Sequence, residues 1–500
     1  MANLADRTFL NLWCYPNVFI DKRTGARGDG KELCDLLVVC GDHVLVFSDK
    51  TVAWPKIDDV GLAWRRWFKR AVLKSAQQVQ GAARWIDQFP DRIFLDRRCT
   101  QLLPLQLPPR NRRKFHGVVV ALGAGRACQE FFGGGSGSLM ICPDLKADDH
   151  LREAGFIPFA IGDISPASSF VHVFDDATFD VVMRELDTVA DFTDYLTKKE
   201  ALVRSGHLVA ADGEEDLLAY YMTHVNSEGE HAFTRPDGAA LRNNDSIVIS
   251  TCYSDLRAHP QYIAKRKADE PSYVWDRLIE AFTNHMLAGT TIVPDGAPFD
   301  IRQHEQAIRH MALVPRYLRR PYGDGILDVL QKGTNAVRYT RAFIPPPTSA
   351  RPETGFFFMT LSLPKTELDG GYEQYRLGRR TMLEAYAFTF LERYRHLERV
   401  VGIATEPAPR PGSRTGSSED LIVAEVSEWT DEFLESLRQQ QEEFLIVREG
   451  NFEEYAIRGK EFPDIDHAGE STSASRPNRH KRRAIKAKAR KSKGCEPPRI

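Results

Sequence analysis

The sequence has no stretch approaching the roughly 18 consecutive apolar residues that a membrane span requires. Its N-terminus carries Asp6 and Arg7 where a secretory signal peptide needs an apolar run. The eight cysteines show neither a CxxC motif nor the Cys/His spacing of a zinc site, which predicts reduced thiols. We therefore expect a cytoplasmic protein that does not bind membranes.

Glycine motifs that bind nucleotides are also missing. Gly123 and Gly125 follow an apolar run, but no third glycine completes a dinucleotide-binding fingerprint. The glycine-rich run at 133–137 lacks the Gly-Lys-Ser/Thr ending of a P-loop, and no G-x-S-x-G motif surrounds Ser136 or Ser138. These absences favour a tight turn and a flexible loop over a nucleotide site or a hydrolase triad.

Charge is unevenly distributed along the chain. The net charge is −2, yet residues 476–500 hold 11 Lys and Arg against one Glu, so the rest of the chain carries a net −12. Residues 61–114 hold 13 Lys and Arg against three Asp, which is typical of a phosphate-binding surface. The terminal tail could hold nucleic acid, aid solubility or fold back on the protein. Five acidic residues are expected to form a solvated surface: Asp175, Asp176, Glu185, Asp187 and Asp191.

Length and composition predict a multidomain protein of mixed α/β class. Five hundred residues exceed one compact core, and the proline-rich segment 344–353 is the clearest linker. After that linker, the predicted order β-α-β-β-α-β indicates a ferredoxin-like unit. We expect four regions, namely an N-terminal α/β domain (1–115), a mixed α/β and helical middle region (116–345), an α+β domain (354–465) and a disordered basic tail (466–500).

The N-terminal domain is predicted to contain a β-hairpin followed by a helix. Leu36–Cys40 and His43–Phe47 are short Val- and Leu-rich runs joined by Gly41-Asp42, which indicates two antiparallel strands and a tight turn. Apolar residues then recur every three or four positions over 62–87, which predicts a helix with one packed face. Residues 30–34, before the hairpin, are expected to end a helix.

Charged side chains lie where the two predicted strands meet. Asp35 opens the first strand, and residues 48–50 (Ser-Asp-Lys) close the second, so a hairpin would bring these ends side by side. Glu32 precedes Asp35 by three residues, and a helical turn would direct it to the same cleft. Metal-dependent phosphodiester hydrolysis needs hard oxygen ligands and a cation beside the developing charge. Residues of these types therefore predict such a site.

This arrangement, over residues 28–86, resembles the PD-(D/E)XK, or restriction-endonuclease-like, superfamily of nucleases. There a helix glutamate, a strand aspartate and a (D/E)xK triplet bind metal and polarise the attacking water. By position, Glu32 matches the helix carboxylate, Asp35 the strand carboxylate and Lys50 the lysine. Ser48 departs from the pattern, because the superfamily has Glu or Asp there. Asp49 is the nearest carboxylate, and strand alternation turns it to the other face unless a bulge rotates it inward.

The resemblance implies a restriction-endonuclease-like α/β core that hydrolyses phosphodiester bonds of DNA rather than RNA, as in restriction or phage defence. The expected ligands of Mg²⁺ or Mn²⁺ are Glu32, Asp35, Ser48 and Asp49. The expected catalytic residues are Glu32, Asp35, Asp49, Lys50 and Gln77, since superfamily members often place a polar residue on the helix after the lysine strand. Arg70, Lys74 and Arg84 are expected to bind the substrate phosphates.

Two other interpretations remain open. A protein that kept this fold but lost a metal ligand at Ser48 would bind nucleic acid without cleaving it. A protein-interaction module would instead use the acidic body and the C-terminal domain to bind a protein partner, without salt-sensitive binding of nucleic acid.

Overall fold

The computed structural model describes residues 8, 9, 12–21, 30–152, 157–290, 301–349, 352–362, 371–407, 418–446 and 460–464, with backbone alone at 301–304. The mixed α/β class expected from the sequence is confirmed. Over these residues every helix falls short of the length and apolarity needed to cross a bilayer. The cysteines among them are all free thiols.

The first sheet has six strands and takes them from both sides of residue 115. Its strands are β1 (Cys14–Ile20), β2 (Lys31–Cys40), β3 (His43–Thr51), β4 (Ile93–Phe94), β5 (Lys114–Leu122) and β8 (Val171–Phe174), in the order β4-β1-β2-β3-β5-β8. Neighbouring strands from β4 to β3 are antiparallel, whereas β3, β5 and β8 are parallel. The carboxyl ends of these three parallel strands therefore lie side by side, along one edge of the sheet.

The predicted hairpin and the predicted helix are both confirmed. β2 and β3 are joined at Gly41, whose φ of 59° suits glycine in a tight turn. A continuous helix then consists of α1 (Val60–Phe68), a π-helical segment (Lys69–Leu73) and α2 (Lys74–Gln88). The helix end expected at residues 30–34 is wrong, because residues 31–34 belong to β2 and pair with β1.

Helices cover the first sheet on both faces. On one face Val79 of α2 approaches Gly117 of β5, where a Cβ would lie only 3.2 Å from the valine methyl group. On the other face the Phe47 ring packs against Phe9 and Phe192, with centroids 5.8 and 6.5 Å apart. The N-terminal unit is therefore a three-layer α/β/α arrangement, in which side chains of alternate strand residues reach opposite helical layers.

The middle region adds a smaller sheet and most of the helices. The sheet has the order β10-β9-β6-β7, with β6 (Met140–Lys146), β7 (Ala160–Asp163), β9 (Leu208–Ala211) and β10 (Ile247–Ile249). The helices are α3 (Gly125–Phe132), α4 (Thr178–Glu185), α5 (Val189–Ser205), α6 (Glu214–Thr223), α7 (Cys252–Ala258), α8 (Pro260–Ala268), α9 (Tyr273–Leu287), α10 (Ile301–Ala312) and α11 (Arg316–Gly333). One cluster of buried apolar residues extends from Phe9 to Ile403, so this region shares its core with its neighbours.

The C-terminal sheet differs from the ferredoxin-like order expected. Its strands are β11 (Arg338–Phe343), β12 (Thr354–Leu361), β13 (Arg399–Thr405) and β14 (Glu419–Glu425), in that order, with helices α12 (Gly371–Arg393) and α13 (Asp431–Glu443). β11, from the other side of the linker, pairs with β12, and α12 joins the adjacent parallel strands β12 and β13. The described residues after α13 form no strand. The ferredoxin-like expectation is therefore wrong.

Candidate active site

Asp35 lies where the pairing between β2 and β3 ends. The last paired residues are Leu36 and Phe47, and beyond them the Asp35 Oδ2 accepts a hydrogen bond from the Asp49 backbone N–H at 2.7 Å. The carboxylate thus replaces a backbone acceptor and holds the end of β3 beside β2. No other described residue hydrogen-bonds to this carboxylate, so its remaining lone pairs can accept a further ligand.

Ser48 is buried on the side of the sheet that α2 covers. Only 1% of Ser48 is exposed, and its hydroxyl donates to Gln78 Oε1 at 3.4 Å. Gln77, the glutamine that the sequence suggested, is exposed. The signal that would have identified Gln78 is its place beside Val79 and three residues after Ser75, both buried positions of α2. The structure therefore brings Gln78, and not Gln77, to the end of β3.

Lys50 and Asp49 are half-buried at the carboxyl end of β3. Lys50 has no hydrogen bond or ion pair with any residue that the structure describes. Burial raises the pKa of Asp49, and the negative charge of Asp35 raises it further. Strand alternation places Lys50, Ser48 and Asp35 on the α2 face and Asp49 on the opposite one. The edge thus holds two interacting carboxylates and an ammonium group without a described partner.

Glu32 departs from its predicted position. It is exposed and belongs to β2, not to the helical turn on which the sequence placed it. Pairing with β1 shifts register here, since Val18 faces Cys34 whereas Phe19 faces Glu32. A bulge of this kind turns the side chain toward the face of Asp35. Even so, the described residues contain no group of three or more His, Cys, Asp or Glu that could hold a metal.

The candidate site lies at the edge where the parallel strands end, which is where open α/β sheets bind ligands. Lys50 is in register with Ala121 of β5. The turn that follows, Gly123–Gly125, gives its three backbone N–H groups to the Asp176 carboxylate at 2.9–3.1 Å. These donors are thus occupied by the protein itself, as expected for a structural turn and not for a nucleotide site.

The helix over residues 60–88 presents a basic surface that runs from this edge toward the opposite ends of the strands. Its exposed cations include Lys69, Arg70, Lys74 and Arg84. None of the four pairs with an acidic group in the described parts of the chain. The helix's one acidic residue, Asp87, is instead paired with Arg110 (2.6 Å) and Arg113 (3.4 Å). Lys74 is one helical turn from Gln78, so the basic surface continues from the strand ends.

Of the five acidic residues expected on a solvated surface, Asp176 is exposed, Asp191 is half-buried and the other three are buried. Asp175, Glu185 and Asp187 are buried, because each has a structural partner. Asp175 accepts a hydrogen bond from the Leu139 backbone N–H at 2.7 Å, and burial raises its pKa to about 7. Asp187 is paired with Arg316 at 2.8 Å. These carboxylates stabilise the fold and are separate from the candidate site.

Comparisons of this chain with protein-family models, with curated proteins and with solved structures found no match. Its chemistry is therefore argued from the geometry of the strand ends and the charge around them. The Asp35 carboxylate can bind a hard divalent cation, a neighbouring ammonium group can stabilise negative charge, and the basic surface can bind phosphates.

Proposed function

We propose that this protein is a metal-dependent nuclease that hydrolyses DNA phosphodiester bonds at the edge formed by Asp35, Asp49 and Lys50. The observation that carries the proposal is Lys50, which is half-buried on the same face as Asp35 and has no described partner of its own. An ammonium group that the described fold does not pair can donate its hydrogen bonds to a bound phosphate. The basic surface on the adjoining helix supports a polyanionic substrate.

Asp35 can serve as a carboxylate ligand of Mg²⁺ or Mn²⁺. Mg²⁺ commonly uses one or two protein carboxylates and completes its octahedron with water and substrate phosphate oxygens. Asp35 keeps lone pairs beyond its bond to Asp49, and the raised pKa of Asp49 would fall if a cation bound beside it. Asp35, on the α2 face, would hold the ion, and Asp49, on the opposite face, would add negative charge near it. The ion would supply Lewis-acid activation of the phosphate and of a bound water.

The protein's own side chains would stabilise the developing charge and position the DNA. Lys50, on the same face as Asp35, would donate hydrogen bonds to the phosphate oxygen on which negative charge develops. Ser48 and Gln78 would fix the end of β3 against α2 through their hydrogen bond. Arg70, Lys74 and Arg84 would bind phosphates along the DNA strand. These contacts position the DNA and confer no sequence specificity. Cleavage of foreign DNA in restriction or phage defence is a setting that such an activity would suit.

A second function is favoured by Ser48. This residue stands where the superfamily pattern has a carboxylate, and its hydroxyl is buried and engaged with Gln78. A protein with two carboxylates in place of three could keep the basic surface and bind DNA without cleaving it. Metal-dependent cleavage separates the two functions.

The test is cleavage of plasmid and linear DNA with Mg²⁺, Mn²⁺ or EDTA. Asp35→Asn is the decisive variant, because its amide oxygen can still accept the Asp49 N–H while the charge is lost. We expect metal-dependent nicking that falls by about 100-fold or more in Asp35→Asn and in Lys50→Ala. Lys114→Ala, which removes an exposed lysine where β5 begins, should cleave like the wild type.

Three results are informative. No cleavage with either metal, combined with salt-sensitive DNA binding, would establish the binding function instead. Full activity in Asp35→Asn would show that this residue serves the fold alone, and the proposed site would be wrong. Absence of both cleavage and binding would favour the protein-interaction module.

A further inference from the structure

Two adjacent phenylalanines lie exposed at the end of α3. Phe131 is 45% and Phe132 48% exposed, and their rings meet edge to face with centroids 5.0 Å apart. A phenylalanine ring in water loses the favourable burial that usually determines its position. Paired exposed rings therefore indicate a surface that binds something apolar and flat.

The pair rests on a rigid aromatic base. Phe159 is fully buried, and its ring lies 5.4 Å from Phe131 and 6.4 Å from Phe132. Trp54 stacks on the same ring at 5.0 Å with an interplanar angle of 24°, and Trp64 packs against it at 5.3 Å. We call Trp54, Phe131 and Phe132 the aromatic ledge. Because Phe159 fixes all three from below, they would lose little conformational freedom on binding a ligand.

The aromatic ledge is continuous with the candidate active site. Trp54 follows Lys50 by four residues, so at most about 14 Å of extended chain separates them. The Val52 N–H donates to the Leu122 carbonyl at 2.9 Å, which joins the chain after β3 to the end of β5, just before α3 begins. Trp67 of α1 donates from Nε1 to the Val52 carbonyl at 3.0 Å. The segment that carries Trp54 therefore begins at the candidate site and lies against the end of β5.

Exposed cations belong to the segments that form or pack against the aromatic ledge. Lys56, in the same loop as Trp54, and Arg66 and Lys69 are exposed and have no acidic partner in the described parts of the chain. The acidic residues nearby are otherwise engaged or solvated: Asp59 caps α1 through the Leu62 N–H (3.0 Å), Glu130 pairs with Arg126 (2.8 Å), and Asp58 is exposed. Flat apolar faces next to free cations suit a chain of bases and phosphates.

We propose that the aromatic ledge stacks on unpaired bases of single-stranded DNA, so that the substrate of the candidate site has a single-stranded segment. The inference rests on the proposed function for the phosphate chemistry next to the ledge. A duplex hides the faces of its bases inside the helix, whereas every base of a single strand exposes a π-face to an aromatic side chain. The aromatic ledge thus indicates that the substrate is single-stranded in part rather than fully duplex, which the carboxylates do not indicate.

The experiment compares binding of a labelled thymidine oligonucleotide with binding of a duplex, by fluorescence anisotropy in EDTA at one fixed salt concentration. Phe131→Ser/Phe132→Ser should weaken single-strand binding by about 10- to 100-fold and change duplex binding by less than about twofold. Phe131→Tyr/Phe132→Tyr, which keeps both rings, should bind like the wild type. Phe89→Ser removes a 38% exposed phenylalanine at the far end of α2 and serves as the matched control.

Several outcomes would overturn the inference. If the wild type binds single-stranded DNA and the serine variant binds it equally well, the aromatic ledge does not bind the bases. That result would leave the proposed nuclease function unaffected. Equal losses for single strand and duplex would show a general effect on DNA binding. Wild-type protein that binds neither form would remove both proposals. A change of oligomeric state in the serine variant, with DNA affinity unaltered, would identify the ledge as a protein contact instead.

Discussion

Among the described residues, charged side chains are paired around α11 but not at the strand ends of the first sheet. In the middle region each arginine of the first turns of α11 has its own carboxylate: Arg316 with Asp187 at 2.8 Å, Arg319 with Asp276 at 2.6 Å and Arg320 with Asp269 at 2.7 Å. We call these three pairs the α11 ion network. At the sheet edge, Lys50 has no described partner and Asp49 shares its surroundings with another carboxylate.

The difference separates charges that hold the fold from charges that can act. Removal of water from an ion costs several kcal/mol, which a buried pair recovers only with close geometry and further hydrogen bonds. The α11 ion network meets that condition, since Arg316 also donates to Ser272 at 3.1 Å and lies 4.3 Å from the Tyr273 ring. At the strand ends burial raises the pKa of Asp49, so part of this cost remains uncompensated there. A ligand that compensates it gains binding free energy.

The largest expected effect is on stability and comes from breaking the α11 ion network. Arg316→Ala leaves Asp187 and Asp276 without this cation in a buried site, and we expect it to lower the free energy of unfolding by about 3–5 kcal/mol. Chemical denaturation measures the change. Arg70→Ala removes an exposed arginine and should stay within about 0.5 kcal/mol of the wild type. Similar losses in the two variants would contradict the distinction between structural and functional charges.

The next effect concerns Glu461, which brings residues 460–464 to this network. Its carboxylate lies 2.6 Å from His231 Nε2 and 3.4 Å from Lys265 Nζ. Burial by itself would raise the pKa of Glu461, but His231, Lys265 and Arg320 outweigh it and lower the pKa to about 2. Glu461→Gln should therefore reduce the free energy of unfolding by about 2 kcal/mol near pH 6. Glu443→Gln, at an exposed position, is the control.

The pH dependence of this effect has a definite sign. The folded pKa of Glu461 lies below its ordinary 4.5, so its contribution is full above pH 4.5 and is lost as pH falls toward 2. Burial lowers the pKa of His231, but Glu461 raises it above 6.5 overall. The contribution of His231 is thus present below pH 6.5 and is lost as pH rises through the raised value. Denaturation of both proteins across this range should show the largest difference between these limits, and a constant difference would contradict the ion pair.

The contrast also explains what the sequence could predict. The hairpin and the helix over 62–87 depend on neighbouring residues, since apolar spacing and the Gly41-Asp42 turn determine them. Asp187 was expected on a solvated surface, and its partner Arg316 lies 129 positions away, beyond the reach of any local pattern. The order of the C-terminal sheet likewise depends on β11, which pairs across the linker.

For the candidate site, the sequence predicted which residues are involved better than it predicted the orientation of their side chains. The ends of β2 and β3 come together as a hairpin requires, and the Asp35 carboxylate accepts the Asp49 backbone N–H, whereas alternation leaves the Asp49 side chain on the opposite face. Glu32 was placed on a helical turn, whereas pairing with β1 draws it into a strand. Gln77 and Gln78 differ by one position, about 100° around a helix axis. Which of the two glutamines faces the strand ends depends on which helix residues pack on the sheet.

A smaller effect should appear at Asp49 and has a readout other than cleavage. Because its folded pKa is raised, ionisation opposes folding, so Asp49→Asn should increase the free energy of unfolding at pH 7 and leave it unchanged in acid, where the carboxyl is protonated in both states. Mg²⁺ at several times its dissociation constant should stabilise the wild type by about 1 kcal/mol and the variant less. Thermal unfolding with and without Mg²⁺ measures both. Equal stabilisation of the two proteins would place the metal elsewhere.

The smallest effect distinguishes two neighbouring glutamines. Gln78→Ala leaves the Ser48 hydroxyl buried without its acceptor and should cost about 1 kcal/mol, whereas Gln77→Ala, at an exposed position, should cost less than about 0.5 kcal/mol. Combining each change with Ser48→Ala in a double-mutant cycle isolates the pairwise term. A coupling of about 0.5–1 kcal/mol for Gln78 and none for Gln77 is expected. Coupling to Gln77 instead would mean that α2 is rotated relative to the strand ends, and Lys74 would then no longer lie on the helix face that adjoins Lys50.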